Sequence, residues 1–206
     1  RTEIGVHLGV MPFDATALGV DFVAGGGHKW LMGVEGTGFL YASPQVLDRL
    51  EPRVASWLSH EEPLGFLMEG PGHLDYERPI RGSIDFLEGH SQNILGSVAL
   101  EAAIDPLLAL GIPTIQAHVR TLNDALEEGL LALGFTSLRA PDSQSGTLTV
   151  DPPDGVDVIA LGHALGEQGV SVSTPDGHLR CSPHWPNDID EIPQVLEVVE
   201  RVLAAS

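Results

Sequence analysis

The sequence predicts an α/β chain in two parts, and three observations carry that prediction. Two short β-prone runs near the start border a glycine-rich turn, and a long stretch without sustained periodicity follows. From Asn93 onward, amphipathic helices alternate with short strands. The boundary is placed before Asn93. This gives a first region over 1–92 and, over 93–206, a connecting helix and a small α+β domain of helices on an antiparallel sheet.

Val20 to Ala24 is short, apolar and β-prone and runs into glycines, so it reads as a buried strand ending in a tight loop. Gly36 to Ala42 reads as a second strand. Ser43 is placed as an N-cap with Pro44 at the first helical position, opening a helix to about Leu50. Glu51 to Gly89 is rich in Pro, Gly and His, and an excursion of that length usually covers something. Apolar residues at helical spacing predict helices over Asn93–Leu110 and Thr114–Leu133, with Gly111 and Gly134 as stops and a kink at Pro106. Strands are predicted at Thr136–Arg139, Thr147–Val150, Val170–Ser173 and His178–Cys181, with a turn at Pro175-Asp176-Gly177. A helix over Val156–Gln168 stops at Gly169. The last helix spans about Asp188 to Leu203, with acids crowding its first turn as the helix dipole favours.

Composition narrows the function. The chain has 206 residues, enough for a good core. Asp and Glu number 29 against 10 Lys and Arg, a net charge of −19. Nucleic acid and anionic lipid require basic residues to replace their counterions, so neither is an expected partner. The longest apolar stretches, such as Val195 to Leu203, are broken by charges, and none reads as a membrane span. Cys181 is alone, which excludes an intramolecular disulfide and points to a reducing, cytoplasmic compartment. Arg1 is not an initiator methionine, so the visible start is not expected to be a natural translation start. His60, Glu61, Glu62, His73 and His90 lack zinc-ligand spacing, and no metal is expected.

Nine of the ten basic residues are arginine; the one lysine, Lys29, sits in Gly25-Gly26-Gly27-His28-Lys29-Trp30. Arginine serves for surface charge but does not deprotonate to an amine nucleophile. A lysine that forms an imine needs a free amine and a place where backbone approaches an anionic cofactor, which glycines allow. His28 offers a ring N–H to a phosphate. By residues alone, the segment reads equally well as a glycine turn carrying a surface lysine.

Longer blocks add a resemblance. Ala17-Leu18-Gly19-Val20-Asp21-Phe22 leads into Gly26-Gly27-His28-Lys29-Trp30-Leu31-Met32-Gly33, followed by Glu35-Gly36-Thr37-Gly38-Phe39-Leu40-Tyr41. Glu88-Gly89-His90-Ser91-Gln92-Asn93-Ile94-Leu95-Gly96 is similar to an E-x-G-T-x-N-x-x-G segment. Arg180-Cys181-Ser182-Pro183-His184-Trp185-Pro186-Asn187 is similar to R-x-S-x-H-x-Y-N. In this order the blocks closely resemble the class V aminotransferase family, which includes cysteine desulfurases, isopenicillin-N-epimerase-like proteins and kynureninase. The resemblance spans nearly the whole chain and matches the C-terminal portion of that family. It implies part of the large domain of a pyridoxal-phosphate-dependent transferase, with an incomplete sheet, followed by a small α+β domain.

The resemblance also implies roles. Lys29 forms the internal aldimine with pyridoxal phosphate and acts as general acid/base at the substrate Cα. His28 contacts the cofactor. Ser91 reaches the cofactor phosphate, commonly across the interface of a homodimer. Arg180 binds the α-carboxylate of a small amino-acid substrate, for which a guanidinium is well shaped. Glu3 falls where the family has the Asp that holds the pyridine nitrogen, and Val6 where it has a Gln. Gly26 replaces a phosphate-binding Ser, His90 a Gly and Pro186 a Tyr.

The family's stacking aromatic, its main phosphate loop and the first strands of the large sheet have no counterpart in this sequence. Apolar sheet surface that a complete chain covers is therefore expected to be exposed, which predicts self-association. Val170 to Leu179 carries no Cys, so desulfurase activity is not expected, and Arg180 beside Cys181 suggests a lowered thiol pKa. Two readings follow: an amino-acid enzyme of aminotransferase, epimerase or lyase type, or a truncated non-catalytic remnant that folds as an oligomeric module.

Overall fold

The computed structural model describes residues 8–73 and 77–205. Glu3 and Val6 lie outside the described residues. Two compact units form: one over 13–106, the other over 107–205 with 9–12.

In the first unit, β1 (Phe22–Gly26) pairs antiparallel with β2 (Gly38–Ala42) in the register Phe22↔Ala42 to Gly26↔Gly38. Ser43 N–H donates to Asp21 O and Gly27 N–H to Thr37 O, so the hydrogen-bonded pairs are the odd-numbered residues. The N–H and C=O groups of Phe22, Ala24, Gly26, Gly38, Leu40 and Ala42 therefore face outward along both borders of the ribbon, and among the described residues no hydrogen bond reaches them. One face carries Val23, 2% exposed, while the other carries Phe22 and Leu40 at 38% and 43%. Apolar residues on both faces are the mark of a strand built to be covered on both sides.

Helix α1 (Pro44–Leu47) is shorter than predicted. Ser43 has the extended backbone of a cap, but its buried hydroxyl makes no cap bond. Beyond Leu47 the chain tightens into i→i+3 turns, Arg49 N–H to Val46 O and Leu50 N–H to Leu47 O. The excursion that follows contains α2 (Gly65–Met68) and 3₁₀ turns at Trp57–Ser59 and Ile84–Leu87. Polar cross-links order it. Ser59 Oγ donates to Phe86 O and accepts from Ser56 N–H, His60 Nδ1 pairs with Arg78 O, and Ser56 Oγ with His90 Nδ1. The Ser83 hydroxyl and the Arg81 guanidinium hold the Asp85 carboxyl below its usual range.

α3 (Ile94–Leu110) follows, opened by Asn93, whose Oδ1 accepts from Gly96 N–H. The two units divide inside it, after Pro106. Gly111, at φ +82°, joins it to α4 (Ile112–Ala132), which starts two residues earlier than predicted because Pro113 fits the first turn.

The second unit is a three-stranded antiparallel sheet, β3 (Thr136–Ser137), β4 (Leu148–Asp151) and β5 (Leu179–Cys181), in the order β3-β4-β5. With α4, α5 (Val158–Glu167) and α6 (Glu191–Ala204) it encloses a core that includes Leu122, Leu130, Phe135, Leu148, Val150, Leu161, Leu165, Leu179 and Val199. A Cβ on Gly129 would lie 2.1 Å from Leu196 Cδ1, so α4 and α6 approach closely there. Asp157 caps α5 through Ile159 and Ala160 N–H. Arg139, its side chain 9% exposed, is held by Asp124 and Glu127.

The predicted strand Val170–Ser173 reduces to one bridge, Ser173 with Arg180. Val170 N–H closes the end of α5 on Leu165 O, and Pro175 has no N–H to extend a ladder. Among the described residues no single helix is long and apolar enough to cross a membrane; α3 and α4 reach that length only as a pair broken at Gly111.

Candidate active site

Gly25 and Gly38 let the ribbon close tightly above the lysine loop. A Cβ on Gly38 would stand 2.4 Å from Gly25 O, so no other residue fits without parting the strands. Past the ribbon, Gly27 is the root of the loop: its N–H donates to Thr37 O and its carbonyl accepts from Gly33 N–H, both at 2.8 Å. Thr37 Oγ1 closes the returning arm on Val34 O at 2.7 Å. Trp30 is 6% exposed and anchors the tip, while its neighbours His28 and Lys29 are exposed. Lys29 O accepts from Met32 N–H, which places Met32 at φ 56°. Among the described residues the Lys29 ammonium has no hydrogen-bond or ion-pair partner.

The glycines at this loop make room for side chains around them. The His28 ring lies over Gly26, where a Cβ would be 2.8 Å from Cε1, and Leu100 of α3 fills the space beside Gly27 and Gly33. A Cβ on Gly96 would meet Thr37 Cγ2 at 2.3 Å, so the first turns of α3 rest on the loop. Ser91, two residues before the Asn93 cap, is exposed at this end of the helix. The sequence pattern did not single out Thr37 or Leu100 as supports of the lysine loop; Leu100 meets Gly27 and Gly33 from a segment far along the chain. The free amine, the imidazole over a bare backbone and the exposed hydroxyl fit a cofactor that presents an aldehyde and a phosphate.

Arg180 lies in the second unit, at the centre of β5 and opposite Thr149. It is exposed, whereas its neighbours Leu179 and Cys181 point into the core, as strand alternation requires. Arg180 Nε donates to Ser173 Oγ at 3.0 Å, and the described residues offer no hydrogen-bond partner to its two terminal nitrogens. The expected lowering of the Cys181 pKa is overturned. Adjacent strand residues face opposite ways, so the guanidinium does not stabilise the thiolate, and burial pushes the thiol up to about 11. The rest of the block folds into a turn in which His184 N–H donates to Asn187 Oδ1, while His118 Nε2 pairs with Asn187 O. Among the described residues, no group of three or more His, Cys, Asp or Glu is placed to hold a metal.

Comparison with known proteins adds four findings. The family described as "Aminotransferase class-V" matches residues 6–187. An isopenicillin N epimerase of Streptomyces clavuligerus is 31% identical over 212 residues, covering 96% of this chain and 51% of that protein. Among solved structures, the apo cysteine desulfurase of Thermococcus onnurineus NA1 superposes with a TM-score of 0.82 at 22% identity, over 99% of this chain and 52% of that one. A C-DES mutant with glycine covalently linked to the PLP cofactor gives a TM-score of 0.80 at 22% identity, over 94% of this chain and 49% of that one. The chain thus spans about half the length of the curated relatives it matches.

Proposed function

Because the chain belongs to the class V aminotransferase family, we propose that it is the lysine- and arginine-bearing part of an enzyme acting on a small amino acid, of aminotransferase, epimerase or lyase type. Its cofactor is pyridoxal phosphate. One observation carries the reading: the only lysine of the chain has no side-chain partner among the described residues and stands on a loop closed at its root by three backbone and side-chain bonds.

When bound, pyridoxal phosphate supplies an aldehyde that an amine can join and a ring that withdraws electrons from a substrate Cα. Lys29 is the amine that would hold the cofactor and would move a proton at that Cα. His28 and the Ser91 hydroxyl contact the cofactor, and Ser91 serves the phosphate. Glu3 is assigned to the pyridine nitrogen. Arg180 receives the α-carboxylate, where two parallel N–H groups match its two oxygens. Residues 1–92 are the remainder of the cofactor-binding large domain, and 93–206 the connecting helix and small domain.

The test uses the whole chain. Incubation with pyridoxal phosphate followed by borohydride should leave a mass adduct at Lys29, and Lys29→Ala should leave none. An unlabelled wild-type chain at millimolar cofactor would support the second reading, a non-catalytic module. That reading is favoured by the two open borders of the β1–β2 ribbon. Ser91 is assigned to the site of a second copy, so sedimentation should give a homodimer. A strictly monomeric species removes that role from Ser91.

A further inference from the structure

We infer that Ser173 is the positioning residue for the Arg180 guanidinium, turning it so that a substrate carboxylate is received end-on; this rests on the role given to Arg180 above. A guanidinium offers two bidentate edges, one using Nε and one terminal nitrogen, the other using both terminal nitrogens. Here Nε is already committed, donating to Ser173 Oγ at 3.0 Å. Ser173 is itself fixed by a two-way backbone bridge, Ser173 N–H to Arg180 O at 3.1 Å and Arg180 N–H to Ser173 O at 2.8 Å. The hydroxyl and the arginine are therefore locked in one register, and the terminal nitrogens form the only edge left open.

The neighbourhood keeps that edge from being filled internally. The chain carries 29 acidic residues against 10 basic ones, and some arginines elsewhere are caught by carboxylates, as Arg81 is by Asp85 and Arg139 by Asp124 and Glu127. On the sheet face of Arg180, Thr149 stands opposite it, and the same register brings Asp151 opposite His178 two residues along. His178 Nδ1 binds Asp151 Oδ1 at 2.5 Å, so the acid of the adjoining row is engaged with the imidazole. Ser173 is neutral and accepts one bond without cancelling the charge, unlike a carboxylate at the same place. Nothing in the local sequence marks it, because it lies seven residues from Arg180 and meets it only across the bridge.

The experiment follows the Arg180 Nε–H resonance in the ¹⁵N-labelled full chain, assigned by its loss in Arg180→Lys, together with titration by maleate as a carboxylate probe. In Ser173→Ala, Nε–H exchange should speed up and maleate binding weaken, each by roughly fivefold, the change one net hydrogen bond makes. Ser173→Thr, which keeps the hydroxyl, should restore both. Unchanged Nε–H exchange in Ser173→Ala overturns the inference, whatever maleate does. If Arg180→Lys still loses maleate binding in that case, the role of Arg180 survives alone. Maleate affinity unaltered in Arg180→Lys removes the role of Arg180 itself, and the inference with it.

Discussion

The two units stabilise themselves in different ways. The second closes a core: Leu122, Leu148 and Leu165 are fully buried, and three helices cover one face of a small sheet. The first has few fully buried apolar side chains, chiefly Val23, Trp30, Ala42 and Phe86, and relies on side-chain-to-backbone bonds that tie Ser59, His60 and Arg78 across its long excursion. It also leaves Ile94, Leu95 and Val98 of α3 more than half exposed. Arg180 thus sits in the unit with the closed core, and Lys29 in the one whose described apolar side chains are more exposed.

That contrast can be broken by substitution. Leu165→Ala should cost about 3–4 kcal/mol, the cavity price of a fully buried leucine, read as lost hydrogen-exchange protection across α5 and the β3-β4-β5 sheet. Ser59→Ala, in the first unit, should cost about 1–2 kcal/mol by leaving the buried Phe86 carbonyl and Ser56 N–H unpaired, with exchange rising in the 56–90 excursion and not in α5. Leu95→Ala, at an 86% exposed position, should stay within about 0.5 kcal/mol. A large loss at Leu95 would mean that α3 is covered in solution, and a small loss at Leu165 would show the second core to be loose.

Cys181 sharpens the comparison more gently. Its thiol is raised to about 11 by burial, so the unfolded chain ionises first, at roughly pH 8.5. The stability this contributes is complete below that pH and is lost as pH rises toward the folded value. Alkylation by iodoacetamide at pH 8 should be slow in the native chain and fast in urea, and the urea midpoint should decline on going from pH 8.5 to 11. Rapid native alkylation would place the thiol at the surface and contradict its position in β5.

Much of the second unit was legible in the sequence, because helical periodicity stops at glycines that take positive φ, such as Gly134 and Gly169. Strand ends were less so. Val170–Ser173 looked like a strand by composition, but helix closure and Pro175 removed its ladder partners. The 51–89 excursion was opaque because its order comes from pairs such as Ser56–His90 and Ser59–Phe86, separated by 34 and 27 positions. Among the candidate residues, Lys29 and Arg180 stood out by residue type and motif. The inverted expectation for Cys181 arose from reading sequence adjacency as spatial adjacency, which a strand denies.

The glycine pair at the neck of the ribbon has a bearing on how such a loop evolves. Position 38 faces a carbonyl too near for any side chain, whereas position 36, next to Thr37 on the returning arm, opens onto empty space. Change at the neck therefore parts the strands that carry the lysine loop, whereas a side chain at position 36 meets no neighbour and is opposed only by its own backbone at φ +79°.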